Sequence, residues 1–221
     1  MSPIRPILLA ALLAATAGCS AYGPPSGEKW AQLTLGNRPT GARRELTDPS
    51  PRNRQWAILR LAYAGDLRAT ESIAALLDPG KEPSAIVRAT AAVGLRILAD
   101  KRALPALMAG LNDAEPLVRA DVVETIGDLG DETQVVELAR VLKTDRDQRV
   151  RVQAAISLRQ AAGKMAVPPL IIALDDPDES VAFAAHQGLM ALTGQSLPPS
   201  RARWEKWLNS AGQIPGKAPG G

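Results

Sequence analysis

The feature that most constrains this chain is an internal repeat of 31 or 32 residues. Val87-Arg88, Val118-Arg119, Val150-Arg151 and Val181-Ala182 superpose at steps of 31, 32 and 31 residues. Ala91, Val122, Ala154 and Ala185 fall four residues after the aligned Val, and Leu95, Ile126, Leu158 and Leu189 fall eight after it. Steps of four and eight lie along one face of an α-helix, so each unit opens with a helix that buries this stripe. A second apolar set follows in each complete unit: Leu104, Leu107 and Leu111; Val135, Leu138 and Leu142; Val167, Leu170 and Leu174. It marks a second helix, and Gly130 and Gly163 stand at the junctions, where a helix end favours a left-handed residue. Each unit is therefore predicted to be a helical hairpin, which cannot bury its apolar face until its neighbours stack on it.

An earlier unit follows the same plan with Asn53-Arg54 at the aligned pair, Ala57 and Leu61 on the first stripe, and Ile73 and Leu77 on the second. Its step to the next unit is 34 residues, the excess falling in Pro79-Gly80-Lys81-Glu82-Pro83, a loop that lengthens at little entropic cost. With 46% of residues hydrophobic but only 3% aromatic, the core must be built from Ala, Leu, Val and Ile, a palette that suits closely packed helices. The prediction is an all-α protein, a right-handed α-solenoid of about five stacked hairpins with capped ends. The repeats are placed at residues 51–195 and a C-terminal capping helix at 196–208. An N-terminal cap is placed at 30–50, drawing on Trp30 and on Arg43 to Leu46, and a disordered tail at 209–221.

Asp48, Asp113, Asp145 and Asp176 each stand six residues before the Arg position, which holds Arg54, Arg119, Arg151 and finally Ala182; Arg88 fills it in the second unit. An Asp in the turn between repeats caps the coming helix or pairs with an Arg of its own or a neighbouring repeat. These residues are read as a structural ladder. The rival use of the arginines, binding an anionic ligand, is opposed by their Asp partners.

The pattern D-x-x-x-x-V-R-x-x-A-x-x-x-L, carried by Asp113 to Arg119 with Val122 and Ile126, resembles the HEAT repeats, in particular the short type shared with phycobilisome lyases. The resemblance extends over about residues 48 to 195. It implies a solenoid and a scaffold or adaptor role, since most members act that way and a few are enzymes. Such a solenoid exposes a concave face lined by second helices, so Arg68, Glu71, Arg102, Gln134, Glu137 and Lys164 are candidate partner contacts. Leu192-Thr193-Gly194 followed by Trp204 and Trp207 resembles the ending of bacterial HEAT-repeat proteins, lipoproteins among them. The two Trp are one turn apart and share a face. They either cover the last repeat or, with Arg201, Arg203 and Lys206, form a docking site, and they are counted among the candidate contacts.

One Cys and one His supply neither a disulfide framework nor the soft ligands of a zinc or iron–sulfur site. His186 sits within a helix with no Ser or Cys nucleophile to serve. Deoxyhypusine hydroxylase, a HEAT-repeat enzyme, binds iron through His-Glu pairs on successive repeats, and this sequence has no such pair. Nothing marks a bilin pocket. Asp175-Asp176-Pro177-Asp178-Glu179 lacks the plan of a calcium loop, and no phosphate-cradling glycine motif occurs. The expectation is a chain that is not an enzyme and carries no cofactor or metal; the alternative is a HEAT-like enzyme of the bilin-lyase or metal-dependent hydroxylase kind.

Residues 1 to 19, MSPIRPILLAALLAATAGC, combine a basic start, a short apolar run and a small-residue exit, the parts of a secretory signal. Thr16-Ala17-Gly18-Cys19 resembles a bacterial lipoprotein signal, which implies removal of residues 1–18 and a lipid on Cys19. Ser20, where Asp signals inner-membrane retention, implies the outer membrane facing the periplasm. Residues 19–29 have the Gly, Pro and Ser content of a tether. Loss of Arg5 takes the net charge from +3 to +2, which calls for no nucleic acid. The expected molecule is a monomer, lipid-tethered to the envelope, that holds a protein or peptide partner.

Overall fold

The computed structural model describes residues 39–161 and 163–211, and among them every regular element is a helix. A short helix α1 (Pro39–Glu45) precedes four hairpins: α2 (Pro51–Tyr63) with α3 (Thr70–Ala74), α4 (Ala85–Leu98) with α5 (Leu104–Gly110), α6 (Pro116–Leu129) with α7 (Val135–Thr144), and α8 (Gln148–Ala161) with α9 (Val167–Ile172). A fifth first helix, α10 (Glu179–Thr193), is closed by α11 (Arg201–Ala211). The first helices α2, α4, α6, α8 and α10 lie side by side in chain order, and a single apolar core runs through the stack.

Local chemistry sets the element ends. Pro51 and Pro116 open α2 and α6, where the missing N–H is no loss and the fixed φ suits a first turn. A 3-10 turn leads into each second helix, and in three of them an Asp (Asp66, Asp100, Asp131) accepts the N–H of the residue two further on. Gly65, Gly163 and Gly194 are left-handed, with φ of 64°, 47° and 69°, and Ala99 takes the same conformation at φ 53° without being glycine. Gly130, predicted to be left-handed, is not: its φ is −72°. Glycine is required there for space, because a Cβ would lie 2.5 Å from the Ile126 carbonyl oxygen.

Both apolar stripes face the core. Ala91, Val122, Ala154, Ala185, Leu95, Ile126, Leu158 and Leu189 are fully buried, as are Leu107, Leu138 and Leu170 of the second helices. First helices approach closely enough that a Cβ on Gly127 would lie 2.6 Å from the Cβ of Ser157, and one on Gly94 2.5 Å from Ile58 Cγ2. At that range the Ser157 hydroxyl donates to the Val123 carbonyl of the neighbouring helix at 3.0 Å. The Thr125 hydroxyl sits between Asp121 O at 2.7 Å and Ala92 O at 3.1 Å. The small residues of these helices thus bring backbones together.

At the N-terminal end, Ala42 of α1 and Leu46 just past its end are buried, and Arg43 donates twice to Asp66, at 3.0 and 2.6 Å. Trp30, assigned to this cap from sequence, lies outside the described residues, as do the signal and tether. At the other end α11 runs to Ala211, so residues 209–211, placed in a disordered tail from sequence, are helical.

Candidate interaction surface

The arginines of the repeat signature join each hairpin to the next. Arg88 presents its fork to Asp113, Nε at 2.7 Å and Nη2 at 2.9 Å, while its Nη1 donates to the carbonyls of Glu82 and Pro83 at 2.9 and 3.1 Å. Arg119 grips Asp145 at 2.7 Å twice and donates to Asp113 O at 2.9 Å. Arg151 grips Asp176 at 2.9 Å twice and donates to Asp145 O at 3.0 Å. Arg54 grips Glu82 at 2.6 and 2.7 Å and donates to Asp48 O at 2.7 Å. Each acid also accepts the N–H two residues on, from Ser84, Glu115, Asp147 and Asp178, all at 2.9 Å. Among the described residues no repeat precedes Asp48; it accepts instead from Ser50 N at 2.8 Å and Asn53 Nδ2 at 3.1 Å.

Charge follows the geometry. Burial opposes ionisation of Asp113, Asp145, Asp176 and Glu82, but the Arg fork and the turn N–H outweigh it and hold each carboxyl below its ordinary range. Glu82, within the Pro79–Pro83 insertion, is thus a further rung. With both partners bidentate and mostly buried, no ladder arginine presents an uncommitted guanidinium to a ligand.

The candidate contacts chosen from sequence divide on inspection. Arg68 and Arg102 are exposed but folded back onto Asp66 and Asp100 of their own turns. Arg102 also donates to Leu67 O of the previous repeat at 2.7 Å and lies 3.8 Å from Glu71. The Arg102 fork, with the turn N–H, draws the Asp100 carboxyl down to about 2. Gln134 is spent in a capping box with Asp131, and Glu137 pairs with Arg140 at 2.7 Å. Lys164 is exposed. Trp204 is not a contact: it is fully buried, donates Nε1 to Pro198 O at 3.0 Å, and meets His186 and Trp207 edge-on. It plugs the last repeat, and His186, whose Nε2 lies 2.7 Å from Leu197 O, belongs to that plug. Trp207 is half-buried beside it.

A surface that the sequence reading missed lies on the second helices. Two rows flank the buried Ile73, Leu107, Leu138 and Leu170: Glu71, Pro105, Val136 and Pro168 two residues before, and Ala75, Ala109, Arg140 and Ile172 two after. Seven of the eight are exposed and Ala75 is half-buried; Val136 is 71% exposed and Ile172 48%. Positions four apart share a helix face, so the rows form one stripe across four hairpins with Glu71 and Arg140 as its only charges.

On the first helices, Arg96 Nη1 lies 2.7 Å from Glu124 and 3.7 Å from Asp128. Burial pushes the neighbouring Asp121 carboxyl up to about 7; Glu124 adds to the push and Arg96 opposes it. No three His, Cys, Asp or Glu side chains converge on a metal-sized site among the described residues, and no helix among them is long and apolar enough to cross a membrane.

The sequence matches the family of HEAT repeats at residues 42–113 and 80–159 and the PBS lyase HEAT-like repeat at 150–176. Among solved structures the chain is similar to the complex of CpcE and CpcF of phycocyanin lyase from Nostoc sp. PCC7120, with a TM-score of 0.61 at 19% identity. That match covers 79% of this chain and 70% of the other. No curated protein sequence matches. The expectation of a chain outside enzymology does not stand, because both the 150–176 repeat and the structural likeness lead to lyases.

Proposed function

The chain belongs to the HEAT-repeat family, and on that premise we propose that it is a monomeric protein-binding module held at the bacterial envelope, gripping an extended partner along its second helices. The observation that carries this reading is the two-row stripe from Glu71 to Ile172, a weakly charged, largely exposed pair of positions repeated on four successive second helices. Its two prolines and two alanines lose little side-chain entropy on contact. The arginines are committed to the repeat joints, so recognition falls to shape and apolar contact. The structural relative supports a protein partner, since it is itself a complex of two chains.

The tether in this reading is the lipid on Cys19, with residues 19–29 as the lead, at the outer membrane and facing the periplasm. A lyase-like component is the second reading, favoured by the match at 150–176. In that case too the solenoid holds another chain while chemistry proceeds on a bilin.

The test is affinity capture from detergent-solubilised envelopes with wild type, Cys19→Ala and the pair Val136→Glu/Ile172→Glu, co-purifying proteins being identified by mass spectrometry. Loss of a specific partner in the Glu pair, with unchanged far-UV circular dichroism, is the expected result. Capture retained by that pair refutes the second-helix assignment. Bilin absorbance in the purified complex selects the lyase-like reading.

A further inference from the structure

The two ends of the stack are covered unequally. At the C-terminal end, α11 lies over the last repeat, and Trp204 fills its core. At the N-terminal end, α1 has only seven residues and packs on α2, leaving a groove of about 680 Å³ between its last turn and α3. Leu46, Pro51, Ser72, Ala75, Leu76 and Pro83 line it. Its charged rim is already paired: Arg43 with Asp66, Arg54 with Glu82, and Lys81 with Asp78 at 3.9 Å. Asp48, the remaining charged residue of the lining, accepts from Ser50 N at 2.8 Å and Asn53 Nδ2 at 3.1 Å, so the groove offers apolar surface beside charges that are already paired or hydrogen-bonded, and an occupant that brings a further charge into it meets a desolvation cost with little to offset it.

We propose that the chain's own residues 30–35, Trp30-Ala31-Gln32-Leu33-Thr34-Leu35, occupy this groove and complete the N-terminal cap. The segment has no charge and places three large apolar side chains within six residues. Three residues, Gly36 to Arg38, join it to α1, whose last turn forms one wall of the groove. A seven-residue helix is about 10 Å long, and the nine residues 30–38 reach up to about 30 Å, so the distance is easily spanned. The other terminal segment enters from the far end. Residues 212–221 would have to pass four helix-to-helix steps of about 8–10 Å each, using the full reach of ten residues of about 33 Å, and they carry Lys217. A Trp removes about 150–250 Å² from water when buried, and a solenoid end needs such a cover. Trp30 would then do at one end what Trp204 does at the other.

The experiment uses the full chain with Cys19→Ala, which removes the single native thiol, and introduces Thr34→Cys with Ser72→Cys, an exposed position on the groove wall. The control pairs Thr34→Cys with Ser210→Cys on α11. A short bis-maleimide is added, linked peptides are identified by mass spectrometry, and far-UV circular dichroism checks the fold. The expected result is an intrachain link between positions 34 and 72 well above the control pair, falling to the control level when Trp30→Asp is added. Linking no better than the control in a folded chain overturns the proposal. A 34–72 link found only between two chains also overturns it, making a second copy the occupant, and so does a link indifferent to Trp30→Asp.

Discussion

Replacing Arg88 by Met tests the ladder where it is most enclosed. The Arg88 and Asp113 side chains retain 6% and 1% of their exposure, and the substitution keeps the stem while deleting four hydrogen bonds. Asp113 is left with the Glu115 N–H as its remaining partner, and the carbonyls of Glu82 and Pro83 lose their donor. Breaking one half of a buried pair costs about 3–5 kcal/mol, a large share of the roughly 5–15 kcal/mol that holds a typical domain. Removing both charges, Arg88→Met with Asp113→Leu, leaves no isolated carboxylate, so the double variant loses less than the sum of the two single losses. Arg140→Met is the reference: Arg140 and Glu137 are 44% and 41% exposed, and such a helix pair contributes about 0.5 kcal/mol or less. Urea denaturation at pH 7 followed by far-UV circular dichroism measures all four. A cost below about 1 kcal/mol for Arg88→Met, well under that for a broken buried pair, would refute the claim that the rungs hold the repeats together. So would strict additivity in the double variant.

Other outcomes follow from single sites. Asp121→Asn stabilises the fold at pH 8 and does so far less at pH 5. The raised carboxyl gains its proton in the folded state first, so wild-type stability rises as pH falls from about 7 toward the ordinary value of about 3.9, and Asn removes that dependence. A rise from the ordinary carboxyl value to about 7 corresponds to about 4 kcal/mol, cut to about 1–2 kcal/mol for a half-buried group screened by solvent. An equal effect in urea melts at both pH values sinks this account. The rung acids act in the opposite sense, their stabilisation being present above the ordinary carboxyl range and lost as pH falls through their lowered values. Gly127→Ala drives a methyl into Ser157 and lowers stability by about 1–3 kcal/mol, checked by the same melts. Ala99→Gly relieves a left-handed alanine worth about 1 kcal/mol, against an entropy cost of up to about 1 kcal/mol, so it is neutral or stabilising; a clear loss in melting temperature argues against strain at Ala99.

The hairpins were legible because helix periodicity is local: steps of four and eight around Val87, Val118, Val150 and Val181 name the buried stripe without knowledge of neighbours. The rungs were legible as residue types but not as pairs, because Arg88 and Asp113 meet through space across 25 positions. Glu82 was hidden by the insertion from Pro79 to Pro83, although counting back six from Arg88 lands on it. Trp204 and Trp207 share a face in sequence, and only packing shows that Trp204 is sealed in while Trp207 stays half-covered. Arg68 and Arg102 read as free charges until the Asp two residues before each is seen to hold them. The stripe from Pro105 to Ile172 was missed for the opposite reason: Pro, Ala and Val carry no chemical signal, and their register beside the buried Leu is their only mark.

That division of labour predicts how partner binding responds to salt. Ladder and turn acids consume most of the arginines near the repeat joints, and the second-helix stripe keeps Glu71 and Arg140, each already near an opposite charge. A surface so neutralised has little Coulomb attraction to lose when the screening length falls from about 8 Å at physiological ionic strength to about 3 Å at 1 M. Apolar contact, by contrast, is not weakened by added sodium chloride in that way, since it depends on area removed from water. Capture of the proposed partner is therefore expected to survive a wash at about 1 M salt and to fail in the Val136→Glu/Ile172→Glu variant at any salt concentration. Release by salt alone would move recognition to exposed charges such as Lys164, Arg203 and Lys206, away from the stripe.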